Sequence, residues 1–168
     1  GNLAFVTVRT PIGLISIYQV HIVDLGAKDS PHVVGVIDGD VNNLCIAGNH
    51  VYLADSDGLY IIDISTPSSP DKVGFIAMME AMSVHVTGNH AFVTDRYDGL
   101  RIIDVSLPED PIEIGFLKTK DCAWDVFLSG NYAFLANRDD GLSIIDVSNP
   151  KFPSSVGNYK TGGAANGV

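Results

Sequence analysis

Two kinds of residue in this chain carry groups that could do chemistry, and they are separated by whether they recur. The recurring ones are acids. An aspartate ends an apolar run at Asp24, Asp63, Asp104 and Asp146, and further acids stand beside glycines at Asp55, Asp57 and Gly58, at Asp95 and Asp98, and at Asp139 and Asp140. Acids so spaced resemble the opening of a calcium loop, which needs ligands at five positions and a bidentate glutamate at the twelfth. After Gly58 the chain runs straight into Leu59-Tyr60-Ile61-Ile62-Asp63, so a hairpin turn accounts for these acids. The other four aspartates fit Asx caps, in which the carboxylate accepts from a backbone amide two residues on.

The non-recurring groups are Cys45, His85, Trp124 and Asp125. His85 and Asp125 would serve as an acid and base if the fold brought them within hydrogen-bond reach, and all four would line a small-ligand site if their strands faced a common channel. Of the other histidines, His50 and His90 recur beside Gly-Asn pairs, while His21 and His32 fall in a looser first copy. No nucleophile elbow, phosphate loop or metal-spaced histidine pair occurs. No catalytic residue, metal ligand or cofactor is therefore assigned. Met78, Met79 and Met82 lie close together and suit either core filling or an adaptable apolar contact.

The elements that must position these groups are written as a repeat. Gly-Asn pairs stand at Gly1-Asn2, Gly48-Asn49, Gly88-Asn89 and Gly130-Asn131, and the repeated aspartates follow one another at intervals of 39, 41 and 42 residues. A proline pair and a glycine close each of the last three copies: Pro67, Pro70 and Gly74; Pro108, Pro111 and Gly115; Pro150, Pro153 and Gly157. Within the third copy, residues 82–87 alternate apolar and polar as a half-buried strand does. Gly88-Asn89 then supplies a tight turn, residues 91–94 return, residues 100–105 form an apolar third strand, and residues 112–117 form an outer one. Each unit of about 42 residues thus predicts four short strands and no helix. Such a unit cannot bury both faces alone, so the units must stack. The expectation is an all-β fold, a β-propeller of four blades or part of a larger propeller, with units near 1–47, 48–87, 88–129 and 130–168 in one domain. A β-solenoid is the competing architecture, but its coils are shorter and lack these hairpin signals.

The string Gly-Leu-x-Ile-Ile-Asp-Val-Ser-x-Pro, preceded by Gly-Asn-x-Ala-Phe-Val, resembles the LVIVD repeat of bacterial and archaeal proteins. Residues 99–108 and 141–150 match it best, and residues 58–67 match with Ile64 in place of valine. The resemblance extends over all four units. It implies a propeller-like fold and an exported or cell-surface setting, and it transfers no activity, because the motif residues are architectural.

Composition narrows the partners. Ten lysines and arginines stand against 20 acids, a net charge of −10. No basic block is present to neutralise phosphates, which argues against nucleic acid and against anionic membrane surfaces. No apolar run approaches the roughly 20 residues of a membrane-spanning helix, so no membrane insertion is expected. Cys45 and Cys122 fall at different points of the repeat and predict no disulfide. No signal peptide is in view, and the chain opens on Gly1 rather than methionine, which suits a processed, trimmed or incompletely recorded chain.

The first copy is longer: 23 residues separate its Gly-Asn from its aspartate, against 15 or 16 elsewhere. The excess predicts an extended hairpin turning at Thr10-Pro11-Ile12-Gly13, with Ile12, Leu14, Ile15 and Tyr18 either as a candidate partner surface or as a cover over the propeller end. The repeat phase also makes the chain begin at a second strand and end within a first strand. Pairing of residues 163–168 with residues 3–8 would complete a blade and close a ring; alternatively, the ends pair with another chain. The function that fits best is a non-catalytic module for protein interaction, self-association or structural assembly at the cell surface. The alternatives are an enzyme or small-ligand binder at the channel and a calcium-stabilised surface array.

Overall fold

The computed structural model describes residues 2–12, 15–27 and 29–168. Fifteen strands, all paired antiparallel to their sequence neighbours, make four sheets. The first holds β1 (Leu3–Ile12), β2 (Ile15–Asp24) and β3 (His32–Asp38). The second holds β4 (Val41–Ala47), β5 (His50–Asp55), β6 (Gly58–Asp63) and β7 (Asp71–Ala77). The third holds β8 (Ala81–Thr87), β9 (His90–Asp95), β10 (Gly99–Asp104) and β11 (Ile112–Lys118). The fourth holds β12 (Asp125–Ser129), β13 (Tyr132–Asn137), β14 (Gly141–Asp146) and β15 (Ser154–Tyr159). The first sheet has three strands because the chain enters the repeat at its second strand, as the phase of the Gly-Asn pairs predicts. Among the described residues no helix is long and apolar enough to cross a membrane.

Local chemistry explains the meander. Gly48, Gly88 and Gly130 turn at φ of 60°, 55° and 58°, a left-handed conformation that a side chain disfavours. Asp24, Asp63, Asp104 and Asp146 each accept from the amide two residues on, at Gly26, Ser65, Ser106 and Ser148, over 2.7–2.9 Å. These caps release the chain from the third strand. Each third strand then meets its outer partner through a register shift at one repeated point, between Ile22 and Val23, Ile61 and Ile62, Ile102 and Ile103, and Ile144 and Ile145. Such a bulge sharpens the local twist, which suits sheets packed as blades.

The core lies between sheets. One cluster joins Val20, Ile22 and Ile37 of the first sheet to Val51, Leu53 and Ile62 of the second. Another joins Tyr52, Leu59 and Ile61 to Val84, Val93 and Ile103 of the third. A third joins Phe92, Leu100 and Ile102 to Val126, Leu135 and Ile145 of the fourth. Full burial of one such side chain is worth about 1.5–3 kcal/mol, so the seams between blades carry the apolar stabilisation. The third sheet also holds a buried acid. Asp95 accepts from the amides of Met79 and Tyr97 at 3.1 Å and faces Arg101 Nε at 3.3 Å. Burial works against the charge of Arg101, but Glu113, Asp95 and Asp98 outweigh it and raise its pKa.

Two expectations need correction. Thr10, Pro11 and Ile12 do not turn; they continue β1 opposite Ile17, Ser16 and Ile15. Proline is tolerated there because β1 is an edge strand with no ladder on its other side. Residues 163–168 do not pair with residues 3–8. Ala165 bridges Arg138 on the fourth sheet, with both backbone bonds near 3 Å, and the amide of Val168 reaches Asp125.

Candidate functional site

The inner strands β4, β8 and β12 bring equivalent residues of successive repeats side by side. A cavity of about 370 Å³ opens where they begin, lined by Asn42, Asn43, Met82, Ser83, Trp124, Asp125 and Asn166. Asn42, Met82, Trp124 and Asn166 stand at the same point of four consecutive units, so this is the axial mouth of the blade stack.

A polar ladder ties its floor together. Asn42 Nδ2 donates to the Ala81 carbonyl at 2.8 Å, and the amide of Val84 donates to Asn43 Oδ1 at 3.4 Å. Ser83 Oγ donates to Asp125 Oδ1 at 2.7 Å. Asp125 also accepts from the Val126 amide at 2.9 Å and, on its other oxygen, from the Val168 amide at 3.0 Å. Three donors hold this carboxylate, which orders the strands but leaves it poorly placed as a base.

Trp124 is the most distinctive group at the mouth. The guanidinium carbons of Arg96 and Arg138 lie 5.3 and 5.7 Å from its ring centre, within cation–π range. Arg96 pairs with Glu80 at 3.0 Å, and that acid is the main reason its pKa is raised. Arg138 lies beside Asp121, a carboxylate lowered chiefly by the Cys122 amide that it accepts from. Arg138 also takes φ of 37°, a left-handed conformation unusual for a residue with a side chain. Trp124 Nε1, Arg96 Nε and Arg138 Nε are all buried with no acceptor among the described residues. Three unanswered donors around one indole mark a place short of acceptors.

The sequence-predicted residues divide. Trp124 and Asp125 line the cavity, whereas Cys45 and His85 do not. His85 meets Phe127 edge-on at 5.8 Å, and no hydrogen bond joins it to Asp125 among the described residues. Cys45 packs at the margin of the core around Tyr52, whose pKa is raised by burial and then by Cys45. Met78 is in the core, Met79 is exposed and Met82 is at the mouth. Tyr18 is 37% exposed with Arg9 over its ring at 5.8 Å. Ile12 and Ile15 pair backbone to backbone at the end of the long hairpin, but their side chains, like Leu14, lie outside what is described. Among the acids once compared with a calcium loop, Asp55 accepts from Ser56 and Asp57 from the Tyr60 hydroxyl.

Arg96 and Arg138 were not singled out from the sequence. The signal available was their shared place eight residues after a Gly-Asn, where the second unit has Ser56.

Stacked antiparallel sheets, one of three strands and three of four, around a lined axis make this a β-propeller-type repeat protein. The model of the LVIVD repeat matches residues 38–76, 80–119 and 122–161, each spanning one four-stranded sheet. The chain belongs to the LVIVD repeat family. Among solved structures it is similar to the computationally designed Ika4 protein, at 12% identity and a TM-score of 0.64, over 77% of this chain and 78% of that one. It is also similar to the computationally designed Ika8 protein, at 11% identity and a TM-score of 0.69, over 95% of this chain and 50% of that one. No curated protein matches the sequence.

Proposed function

We propose that the chain is a non-catalytic β-propeller repeat module that works by binding a protein partner or by structural assembly, in the extracellular or cell-surface setting that LVIVD repeats imply. The observation carrying this reading is that the groups available for chemistry are committed elsewhere. The repeated aspartates cap strands, Asp125 accepts from Ser83 and two amides, and His85 faces Phe127. The test is turnover: the purified chain run over a broad hydrolase panel is expected to be silent. Activity that disappears in His85→Ala would refute the proposal.

A second reading, a small-ligand binder at the axis, is favoured by the buried donors of Trp124, which lines the cavity, and of Arg96 and Arg138, which pack on its ring without lining it. Two arginines and an indole N–H suit a carboxylate or phosphate group. Trp124 is the only tryptophan, so its emission reports the site. Titration with citrate or inorganic phosphate is expected to give a saturable change that is lost when Arg96 and Arg138 are both alanine. A flat titration, or one matched by sodium chloride at equal ionic strength, ends this reading.

A further inference from the structure

Three seams between blades repeat one design. At each, a glycine on the outer strand lies under a proline carbonyl of the following blade: Gly35 under Pro67, Gly74 under Pro108 and Gly115 under Pro150. A Cβ at any of these glycines would collide with that carbonyl. Gly157 holds the same place on the fourth sheet, yet a Cβ there would meet only the Ile144 side chain, at 3.4 Å or more.

The surface around Gly157 is a seam half without its complement. Leu142 and Ile144 are half-buried, whereas their counterparts Leu59, Leu100, Ile61 and Ile102 are fully buried. Val156 is 55% exposed and Tyr159 is 68% exposed, while Ile37, at the place of Tyr159 in the first sheet, is buried. The first sheet carries the opposite half. Val6 is 46% exposed where Leu53, Val93 and Leu135 are buried, and Val23 is half-buried where Ile62, Ile103 and Ile145 are buried. The edge of β1 has no inner strand beside it. Residues 165–168, meanwhile, lie where an inner strand of a following blade begins. The bond from the Val168 amide to Asp125 repeats the bond from the Val84 amide to Asn43. Among the described residues no strand of the first sheet pairs with one of the last.

We infer that the last blade of one copy of this chain docks on the first blade of a second copy, through the same seam that joins blades within the chain. Residues 163–168 of each copy then lie beside β1 of the other. A head-to-tail contact of this kind closes into a ring when the rotation permits. Two copies of four sheets make an eight-bladed ring, within the range of propellers. This inference deepens the non-catalytic binding reading by naming the partner as the chain itself. Its test is separate: a monomer overturns the docking and leaves that reading standing, while turnover overturns that reading and leaves the mass unchanged.

The experiment is light scattering on a sizing column, with the 168-residue chain over a range of concentrations. The expected mass is twice 17.9 kDa. Gly157→Leu places a side chain where the docked blade must come, and the nearest atoms to its Cβ within its own chain are those of Ile144, at ordinary contact distance. Val6→Asp puts a charge on the opposite half. Each variant is expected to halve the mass and to keep the circular dichroism of a folded sheet protein. A native mass of 17.9 kDa at all concentrations, an open-ended ladder of larger species, or a dimer indifferent to both substitutions would overturn the inference.

Discussion

Gly115→Ala tests the seam most directly. Gly115 does not occupy the left-handed region, so alanine fits its backbone, and in isolation the change would stabilise the chain by about 0.4–1 kcal/mol through the unfolded state. The seam reverses that sign. The new Cβ falls on the Pro150 carbonyl oxygen and 3.1 Å from its carbon, and it also meets Pro153 at 3.4 Å. The obstacle is backbone, in the connection between β14 and β15 of the next blade, so the two sheets must part. Overpacking of this kind costs about 1–3 kcal/mol, and the collision with a main-chain carbonyl places it at the upper end, about 2–3 kcal/mol. For a chain of this length each kcal/mol moves Tm by about 2–4 °C, so a fall of about 4–12 °C is expected in a melt followed by circular dichroism. Gly88→Ala is the control. Its φ is +55° but nothing lies within 4 Å of the added atom, so only backbone strain of about 1–2 kcal/mol is introduced, and Gly88→Asn should recover much of it. A Gly115→Ala melt equal to or above that of the native chain would refute the steric account of the seam.

Burial and charge give two further expectations. Asp95→Ala removes a fully buried acceptor of two amides and a partner of Arg101; a loss of about 3 kcal/mol is expected in urea unfolding. Asp98→Ala, which removes a more exposed partner of the same arginine, should cost under about 1 kcal/mol, and equal losses would sink the burial argument. The capping carboxylates Asp63, Asp104 and Asp146 are held below the ordinary aspartate range, chiefly by the amide or hydroxyl of the serine two residues on. A folded pKa below the unfolded one means stability that is complete above about pH 4 and is lost as pH falls through the folded values. Tm should thus drop on acidification below pH 4, and Asp104→Asn should flatten that drop; an unchanged profile in the variant would refute the assignment.

What the sequence disclosed divides by the distance over which each contact acts. The link from Asp104 to Ser106 spans two residues, and the Gly88-Asn89 turn is set by its own backbone, so both could be read from the order of residues. The strands followed from these punctuation marks. Pro11 reads as a breaker in the sequence, and only the sheet order reveals that its strand lies at an edge, where no amide is missed. Gly115 was legible as a closing glycine, but the carbonyl that demands it belongs to the next unit. His85 and Asp125 share a strand parity, and nothing local predicted that one would meet Phe127 and the other Ser83. Arg96 likewise meets Trp124 only through the stacking of blades, whereas Arg138 reaches it from a turn of the same blade.

The order of the sheets bears on how the chain acquires its structure. Every strand pairs with a strand adjacent in sequence, and each core cluster joins only consecutive sheets. Long-range closure is what slows the folding of most all-β chains, and nothing within this chain calls for it. A chain emerging from the ribosome can complete one meander before the next is synthesised. Each finished blade then presents the apolar face against which its successor is laid, so folding can proceed in the direction of translation.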